Sequence, residues 1–431
     1  MILSSSYSNM RKAAAARIAL RQAMEQIMEE QLSAGPLSHI KVVELGSFIA
    51  GPYCGQILAD LGAEVIKVEP PHVGDTMRQW GVQKSSNGQS LWWSVIGRNK
   101  KSVTIDLRKP EGRELARSLI LDADVLLENF RPGTLEAWGL APKILRNEKP
   151  SLIIARVSGF GQTGPYSKQG GFGSVAEAIA GLRHLAGYPD QIPPRFGISI
   201  GDSLAGVFTT IGVLSALVAR PLREDRGQVV DVSITESVLA VLESVFSEYA
   251  ATGAVRSRSG SVLPGIAPSN LYPTSDGNFI LIAANADGVF TRLAEAMARP
   301  GLAHDEKYAT HLARGQRQSE LDSIVAEWTK SKTLSELLEL MQQFGVPAGP
   351  VNDAAAVCAD PHFREREAII EVPTEYEGTI TMQGIVPKLS ETPGKVRWTG
   401  PKLGEHNESI FLGRLNLSPE RYAELKAGGI V

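Results

Sequence analysis

The sequence predicts an α/β protein: a large Rossmann-like domain with a parallel sheet, plus a smaller α/β domain. Three observations carry this prediction. From residue 40 onward, short apolar strands alternate with helical segments. The first strand, helix and strand form a unit of about 30 residues that ends on an acid, Glu69, as a βαβ nucleotide-binding half does. A polar, turn-forming stretch, Arg220-Pro-Leu-Arg-Glu-Asp-Arg-Gly227, then separates this pattern from a second α/β run.

Residues 40–45 read as the first strand, 51–61 as a helix and 63–69 as the second strand. Strands follow at 102–107, 125–128 and 152–157, with a helix over 112–121. The segment Gly46-Ser-Phe-Ile-Ala-Gly51 lacks the GxGxxG spacing of a dinucleotide fingerprint. Gly171-Phe-Gly173-Ser-Val-Ala176 fits GxGxxA, but it follows a turn-rich stretch and not a strand, so NAD is not indicated. Residues 195–200 read as a short strand, with Ile198 and Ile200 alternating against smaller residues. They lead through Gly201 and Asp202 into an apolar helix, 203–220. A strand at 228–232 and a helix at 236–252 come next, then a Ser/Gly/Pro-rich loop at 256–269. A loop of that length more often signals function than simple linkage. A strand at 279–283 precedes helices near 289–298, 318–330 and 334–344. Two strand-like pieces, 368–372 and 378–382, and a helix near 419–427 complete the chain. The expected divisions are an N-terminal extension (1–36), a large domain (37–222), a small domain with linkers (223–365) and a C-terminal segment (366–431).

Composition narrows the function classes. Hydrophobic content of 43 % and charged content of 21 % are ordinary for a soluble globular protein. A net charge of −3 offers no basic field for nucleic acid. The nearest approach to a membrane span, 203–219, is rich in Gly, Thr and Ser and better suits a buried core helix. Neither nucleic acid nor a membrane is expected as a partner. Two cysteines, Cys54 and Cys358, fit a reducing compartment, and the seven scattered histidines show no metal-binding spacing. Residues 1–24 carry Arg11, Lys12, Arg17 and Arg21 with no acid, as a mitochondrial transit peptide does. Glu25, Glu29 and Glu30 weaken that reading; the alternative is a disordered or loosely helical extension, with the cytoplasm as the location.

Asp202 is the candidate nucleophile. A carboxylate beside Gly201 at a strand-to-helix junction faces backbone N–H groups and the positive end of the helix dipole. That setting favours the ionised form, but taken alone it describes an ordinary helix cap better, so the case for a nucleophile comes from the rest of the chain.

Several blocks, taken in order, carry a resemblance. They are Ile49-Ala-Gly-Pro52, Ala59-Asp-Leu-Gly-Ala-Glu-Val-Ile-Lys-Val-Glu69, Arg98-Asn-Lys-Lys-Ser102, Asn129-Phe-Arg-Pro-Gly133 and Gly159-Phe-Gly-Gln-Thr-Gly-Pro-Tyr166. Gly201-Asp202, Gly227-Gln-Val-Val-Asp-Val232 and Gly345-Val-Pro-Ala-Gly-Pro-Val351 follow. From about Val42 to its end the chain resembles the class III CoA-transferases, the family of formyl-CoA transferase and carnitine-CoA-transferase-like enzymes.

The resemblance implies an acyl transfer in which Asp202 forms a mixed anhydride and then an aspartyl-CoA thioester. It implies coenzyme A as a substrate and no cofactor or metal. It also implies an interlocked homodimer whose C-terminal segment returns to the large domain. Ile49, Ala50, Ile105 to Arg108, Asn129 to Arg131 and Gln169 to Phe172 would lie along the CoA site. Arg98, Lys100, Lys101 and Arg108 would form a cationic cluster for the CoA phosphates, unless they simply sit on a solvated face. Phe130 with Arg131 suits stacking on adenine, or ordinary loop packing. The overall pattern is most similar to members that use succinyl-CoA and short di- or tricarboxylic acids, such as hydroxymethylglutarate, malate, citramalate or itaconate. Arg256 and Arg258 are candidates for clamping a distal carboxylate, or are solvated.

There are departures. Many relatives carry an acid where this chain has Gly173, and Glu177, one helical turn on, either restores that carboxylate or is a surface residue. The related α-methylacyl-CoA racemases pair their acid with a His that would fall at Phe172, and phenylalanine cannot exchange a proton. A racemase or a catalytically silent CoA-binding protein are the competing readings.

Overall fold

The computed structural model describes residues 35–81, 89–374 and 378–431. The candidate transit peptide, within 1–34, lies outside the described residues. The chain forms two compact units. One holds residues 35–180, 196–242 and 364–431; the other holds 181–195 and 243–363.

The larger unit is built on a six-stranded sheet: β1 (Lys41–Leu45), β2 (Glu64–Glu69), β3 (Lys100–Thr104), β4 (Val125–Glu128), β5 (Ile153–Ser158) and β6 (Val229–Ser233). The spatial order is β3-β2-β1-β4-β5-β6, and every pairing is parallel. The chain winds outward from β1 to β3, then returns to the other side of β1 through β4. The winding direction therefore switches between β1 and β4, and the loops leaving their C-terminal ends flank the crevice where open α/β sheets bind ligands. Both faces of the sheet are covered. Val43, Leu45, Ile66, Val103, Leu126 and Ile154 pack into one buried core, and Val42, Val65, Val125, Leu127 and Ile153 into the other.

Helices α1 (Ala50–Asp60), α2 (Gly173–Ile179) and α3 (Ile200–Ala219) matter most for the site. Ala205, Val213 and Ala216 of α3 join the second core, whereas Val207, Ile211 and Val218 are 39 %, 52 % and 74 % exposed. By length and composition α3 is also apolar enough to cross a membrane, although a core helix passes the same test. Close approach of α1 and α3 requires Gly206: a Cβ there would lie 2.9 Å from the Tyr53 ring and 3.0 Å from the Ala50 carbonyl oxygen.

Four sequence expectations need correction. The predicted strand at 195–200 is absent; α3 begins at Ile200, so Asp202 sits within its first turn and not before the helix. The expected helix at 236–252 is two helices, Ile234–Leu239 and Val245–Thr252, interrupted where Glu243 takes a positive φ of 51°. Strand β3 runs over 100–104, so Ile105 to Arg108 form the turn at its C-terminal end. The break expected at 223 lies at 243 instead, because β6 pairs with β5 and completes the large sheet.

The smaller unit has an antiparallel sheet of β7 (Ser269–Pro273), β8 (Phe279–Ala283) and β9 (Ala348–Pro350). Its core includes Tyr272, Ile280, Ile282, Phe290, Leu293, Leu321, Val325, Leu337 and Met341. In the larger unit, residues 364–431 supply the hairpin of β10 (Ile369–Thr374) and β11 (Gly378–Gln383) and then follow β3. The Trp398 indole donates to the Lys100 carbonyl at 3.0 Å, and the Asn407 side chain bonds both the N–H and the hydroxyl of Thr104.

Candidate active site

Asp202 lies in the first turn of α3, half-buried, with its side chain laid across the start of α2. A Cβ on Gly173 would come within 2.4 Å of Asp202 Oδ2 and 2.7 Å of its Cγ. The absence of a side chain at 173 is therefore what gives the Asp202 carboxylate its place. Glu177, one turn along α2, is fully buried and is not a surface residue. Its Oε1 accepts from the backbone N–H of Gly201 at 3.3 Å. Phe172, next to Gly173, is 62 % exposed and meets the Phe48 ring edge-on at 6.0 Å. Phe48 in turn stacks obliquely on Trp80 at 5.7 Å.

Phe48 belongs to the loop between β1 and α1, and an unusual set of contacts holds that loop. Phe48 has a positive φ of 69°, which its N–H stabilises by donating to Asp75 Oδ1 at 3.2 Å. Asn129, at the end of β4, accepts from the Ser47 N–H at 3.0 Å and donates to the Ser47 carbonyl at 2.8 Å. The two loops at the switch point are thus tied together. Lys67 Nζ donates to the Gly46 carbonyl from beneath.

Lys67 belongs to a buried network of four charged side chains, with Glu44, Asp75 and Lys100. It lies 3.0 Å from Glu44, its register partner on β1, and 2.9 Å from Asp75; Lys100 Nζ lies 2.8 Å from the other Glu44 oxygen. Burial opposes ionisation of Glu44, but Lys100 and Lys67 outweigh it and hold its carboxyl below the usual range. Lys67 is raised because Asp75 and Glu44 outweigh its burial. Lys100 is lowered by burial, with Lys67 adding to the effect. Cys54, beneath the same network, is pushed up to about 12 by burial and is no nucleophile. Charged residues inside otherwise apolar strands were the sequence signal for this network, which the sequence reading missed.

A cleft of about 300 Å³ opens at the C-terminal ends of β1 to β4, lined by Gly46, Ser47, Glu69, Ile105, Arg108 and Phe130 among others. Phe130 packs edge-on against Trp138 at 5.1 Å, and its N–H donates to Glu128 Oε2 at 2.7 Å. Glu128 is buried and paired with its register partner Arg156. Arg108 pairs with Asp106 at 2.8 Å, and its side chain is 83 % exposed. Arg131 is exposed, with Nη2 3.3 Å from where a Cβ of Gly170 would stand, which brings it to the 169–172 loop. Ile49 and Ala50, by contrast, are buried at the start of α1.

The expected cationic cluster does not form. Arg98 is 3 % exposed and makes a bidentate pair with Asp60, with Nη1 on the Gln383 carbonyl at 2.6 Å. Lys100 belongs to the buried network, and Lys101 pairs with Glu64 at 2.6 Å. Arg98 and Lys100 are structural cations, and of the four only Arg108 lines the cleft. In the smaller unit, Arg256 pairs with Glu248 at 2.5 Å. Arg258 donates to the carbonyls of Tyr188 and Pro189 at 3.2 and 3.3 Å. Both arginines brace the 256–269 loop. Among the described residues, no three His, Cys, Asp or Glu side chains are grouped to hold a metal ion.

The pattern of CoA-transferase family III matches residues 37–407. The chain belongs to that family. It is therefore a CoA-transferase, an enzyme of the class that moves coenzyme A between acyl groups. It is 53 % identical over 404 residues to the succinyl-CoA–D-citramalate CoA-transferase of Chloroflexus aurantiacus, covering 94 % of this chain and 100 % of that one. It is 40 % identical to the alpha subunit of the succinyl-CoA–L-malate CoA-transferase of the same organism, covering 94 % of each chain. The crystal structure of a CAIB/BAIF family protein from Brucella suis superposes with a TM-score of 0.77 at 37 % identity, over 88 % of this chain and 99 % of that one. The transferase thus shares the parallel-sheet fold of that family.

Proposed function

We propose that the enzyme transfers CoA from succinyl-CoA to a short dicarboxylic acid, with Asp202 as the nucleophile. The observation that carries this reading is the Asp202 carboxylate, laid over side-chain-free Gly173 in the first turn of α3. The citramalate and malate transferases named above support the donor and the acceptor class. An Asp202 oxygen attacks the succinyl thioester carbon; the C–S bond breaks and the thiolate leaves, giving a mixed anhydride. The thiolate then attacks the aspartyl carbonyl, the anhydride C–O bond breaks, and succinate departs from an aspartyl-CoA thioester. The acceptor carboxylate attacks that thioester and expels the thiolate again. Thiolate attack on the acceptor's acyl carbon then yields the new acyl-CoA and regenerates Asp202. Every attacking group is already an anion, so no general base is required.

The cleft that holds Ile105, Arg108 and Phe130 suits the nucleotide end of CoA, with Arg131 positioned for a phosphate and Phe130 for the adenine ring. Phe172, beside the nucleophile, supplies no proton, which disfavours racemisation. The exposed apolar stripe of Val207, Ile211 and Val218 supports a homodimer.

Intact-protein mass spectrometry after incubation with succinyl-CoA tests the reading. A covalent CoA adduct is expected on the wild type, absent from Asp202→Ala, and discharged by citramalate or malate. An adduct that survives in Asp202→Ala, or a wild type that binds CoA without ever forming one, sinks it.

A further inference from the structure

Two glycines and two carboxylates cross at the contact between α2 and α3. Gly173 of α2 makes room for Asp202 of α3, and Gly201 of α3 makes room for Glu177 of α2. A Cβ on Gly201 would stand 3.3 Å from Glu177 Cγ and 3.1 Å from the Gly173 carbonyl oxygen. Glu177 is fully buried, and its Oε1 accepts the N–H of Gly201, the residue immediately before the nucleophile. The first backbone N–H groups of a helix have no partner within it, and an acidic side chain in the first turn normally answers them. Asp202 is the acid in the first turn of α3, yet the reaction turns its carboxylate first into an anhydride and then into a thioester. In both states it is neutral and directed at substrate.

We infer that Glu177 is a positioning residue: it holds the first turn of α3 through the Gly201 N–H while Asp202 is acylated, so the aspartyl carbonyl stays in one place through all four steps. The inference deepens the transfer mechanism above and rests on it for its kinetic consequence. Its structural content, that Glu177 orders this turn, stands on the geometry alone. The role belongs to the hydrogen-bond acceptor and not to bulk. Glutamine keeps an acceptor oxygen at the same reach, whereas methionine fills the same volume without one.

The test compares Glu177→Gln and Glu177→Met in the full-length protein with two readouts. One is hydrogen exchange of a peptide covering 199–206 in the resting enzyme. The other is the single-turnover rate of adduct formation from succinyl-CoA. In Glu177→Met, loss of the hydrogen bond to the Gly201 N–H should speed exchange and slow adduct formation, each by about tenfold. Affinity for free CoA should not change. Glu177→Gln should behave as the wild type in both assays, a contrast with Glu177→Met that a packing role, satisfied by either side chain, would not show. Gly201→Ala, which crowds the same contact from the other side, should reproduce the Glu177→Met defect and serves if that variant does not fold. Unchanged exchange, an unchanged adduct rate, or a Glu177→Gln variant as impaired as Glu177→Met each overturns the inference. If the wild type forms no adduct at all, the transfer mechanism fails, and exchange alone decides whether Glu177 orders the turn.

Discussion

Substituting alanine for Gly173 separates the stability of this protein from its chemistry. Gly173 occupies the first residue of α2, a helical position whose backbone alanine adopts without strain. On the chain's account, the change should stabilise the fold by roughly 0.4–1 kcal/mol through the unfolded state. The added methyl carbon, however, would stand 2.4 Å from Asp202 Oδ2, 2.7 Å from Cγ and 3.0 Å from Oδ1. The atoms in the way form the end of a side chain that can rotate, so the protein accommodates the methyl by moving the nucleophile. Restoring an ordinary contact requires the carboxylate to retreat by about 1 Å, and a misplacement of that size costs on the order of a hundredfold in rate. Thermal unfolding should therefore show a melting temperature unchanged or slightly raised. Steady-state assays with succinyl-CoA should show kcat down about a hundredfold, with affinity for CoA unchanged. A Gly173→Ala enzyme with wild-type kcat would refute the argument that Asp202 acts with its carboxylate laid against Gly173 of α2. A large loss of stability would refute the claim that the side chain yields.

Two further predictions separate binding from architecture elsewhere. Arg98→Met strands the buried carboxylate of Asp60 and should cost about 3–5 kcal/mol of stability. Arg108→Ala should leave chemical denaturation unchanged and weaken CoA binding roughly tenfold. The reverse pattern in denaturation and calorimetry would return Arg98 to the CoA site. His406 is lowered by burial, with Glu405 opposing and Lys101 adding, and its Nδ1 accepts from the Ser102 N–H at 3.3 Å. Its folded-state pKa lies below the unfolded value, so its contribution is present above about pH 6.5 and is lost as pH falls further. Melting temperatures measured from pH 7.5 down to 5 should fall less steeply for His406→Gln than for the wild type. Parallel curves would show that this histidine is not linked to folding.

The large sheet was legible because its strands are short apolar runs separated by helical spacing, and β1, β4 and β8 fall within a residue of where the pattern puts them. Asp202 stood out for a local reason too, the Gly-Asp pair ahead of a long apolar run. What failed depended on partners distant in sequence. Ile198 and Ile200 alternate like strand residues, but no neighbouring strand pairs with them, and Ile200 opens α3 instead. The cations at 98–101 read as one basic cluster because their carboxylates, Asp60, Glu44 and Glu64, lie on other elements. Glu177 could not be placed from spacing alone. Its burial follows from two glycines on two helices, and no local window contains both.

The four buried charges under the 46–49 loop sum to zero, two lysines against two carboxylates. Any single replacement leaves an odd charge in the interior, which costs far more than the intact set contributes. Their substitution effects must therefore be strongly non-additive. Across descendants of a common ancestor, positions 44, 67, 75 and 100 should change in concert or stay fixed together. The loop that leads to the nucleophile's neighbourhood is tied to this set through Gly46 and Phe48, so a drift in one distant strand would be inherited by the site as a whole.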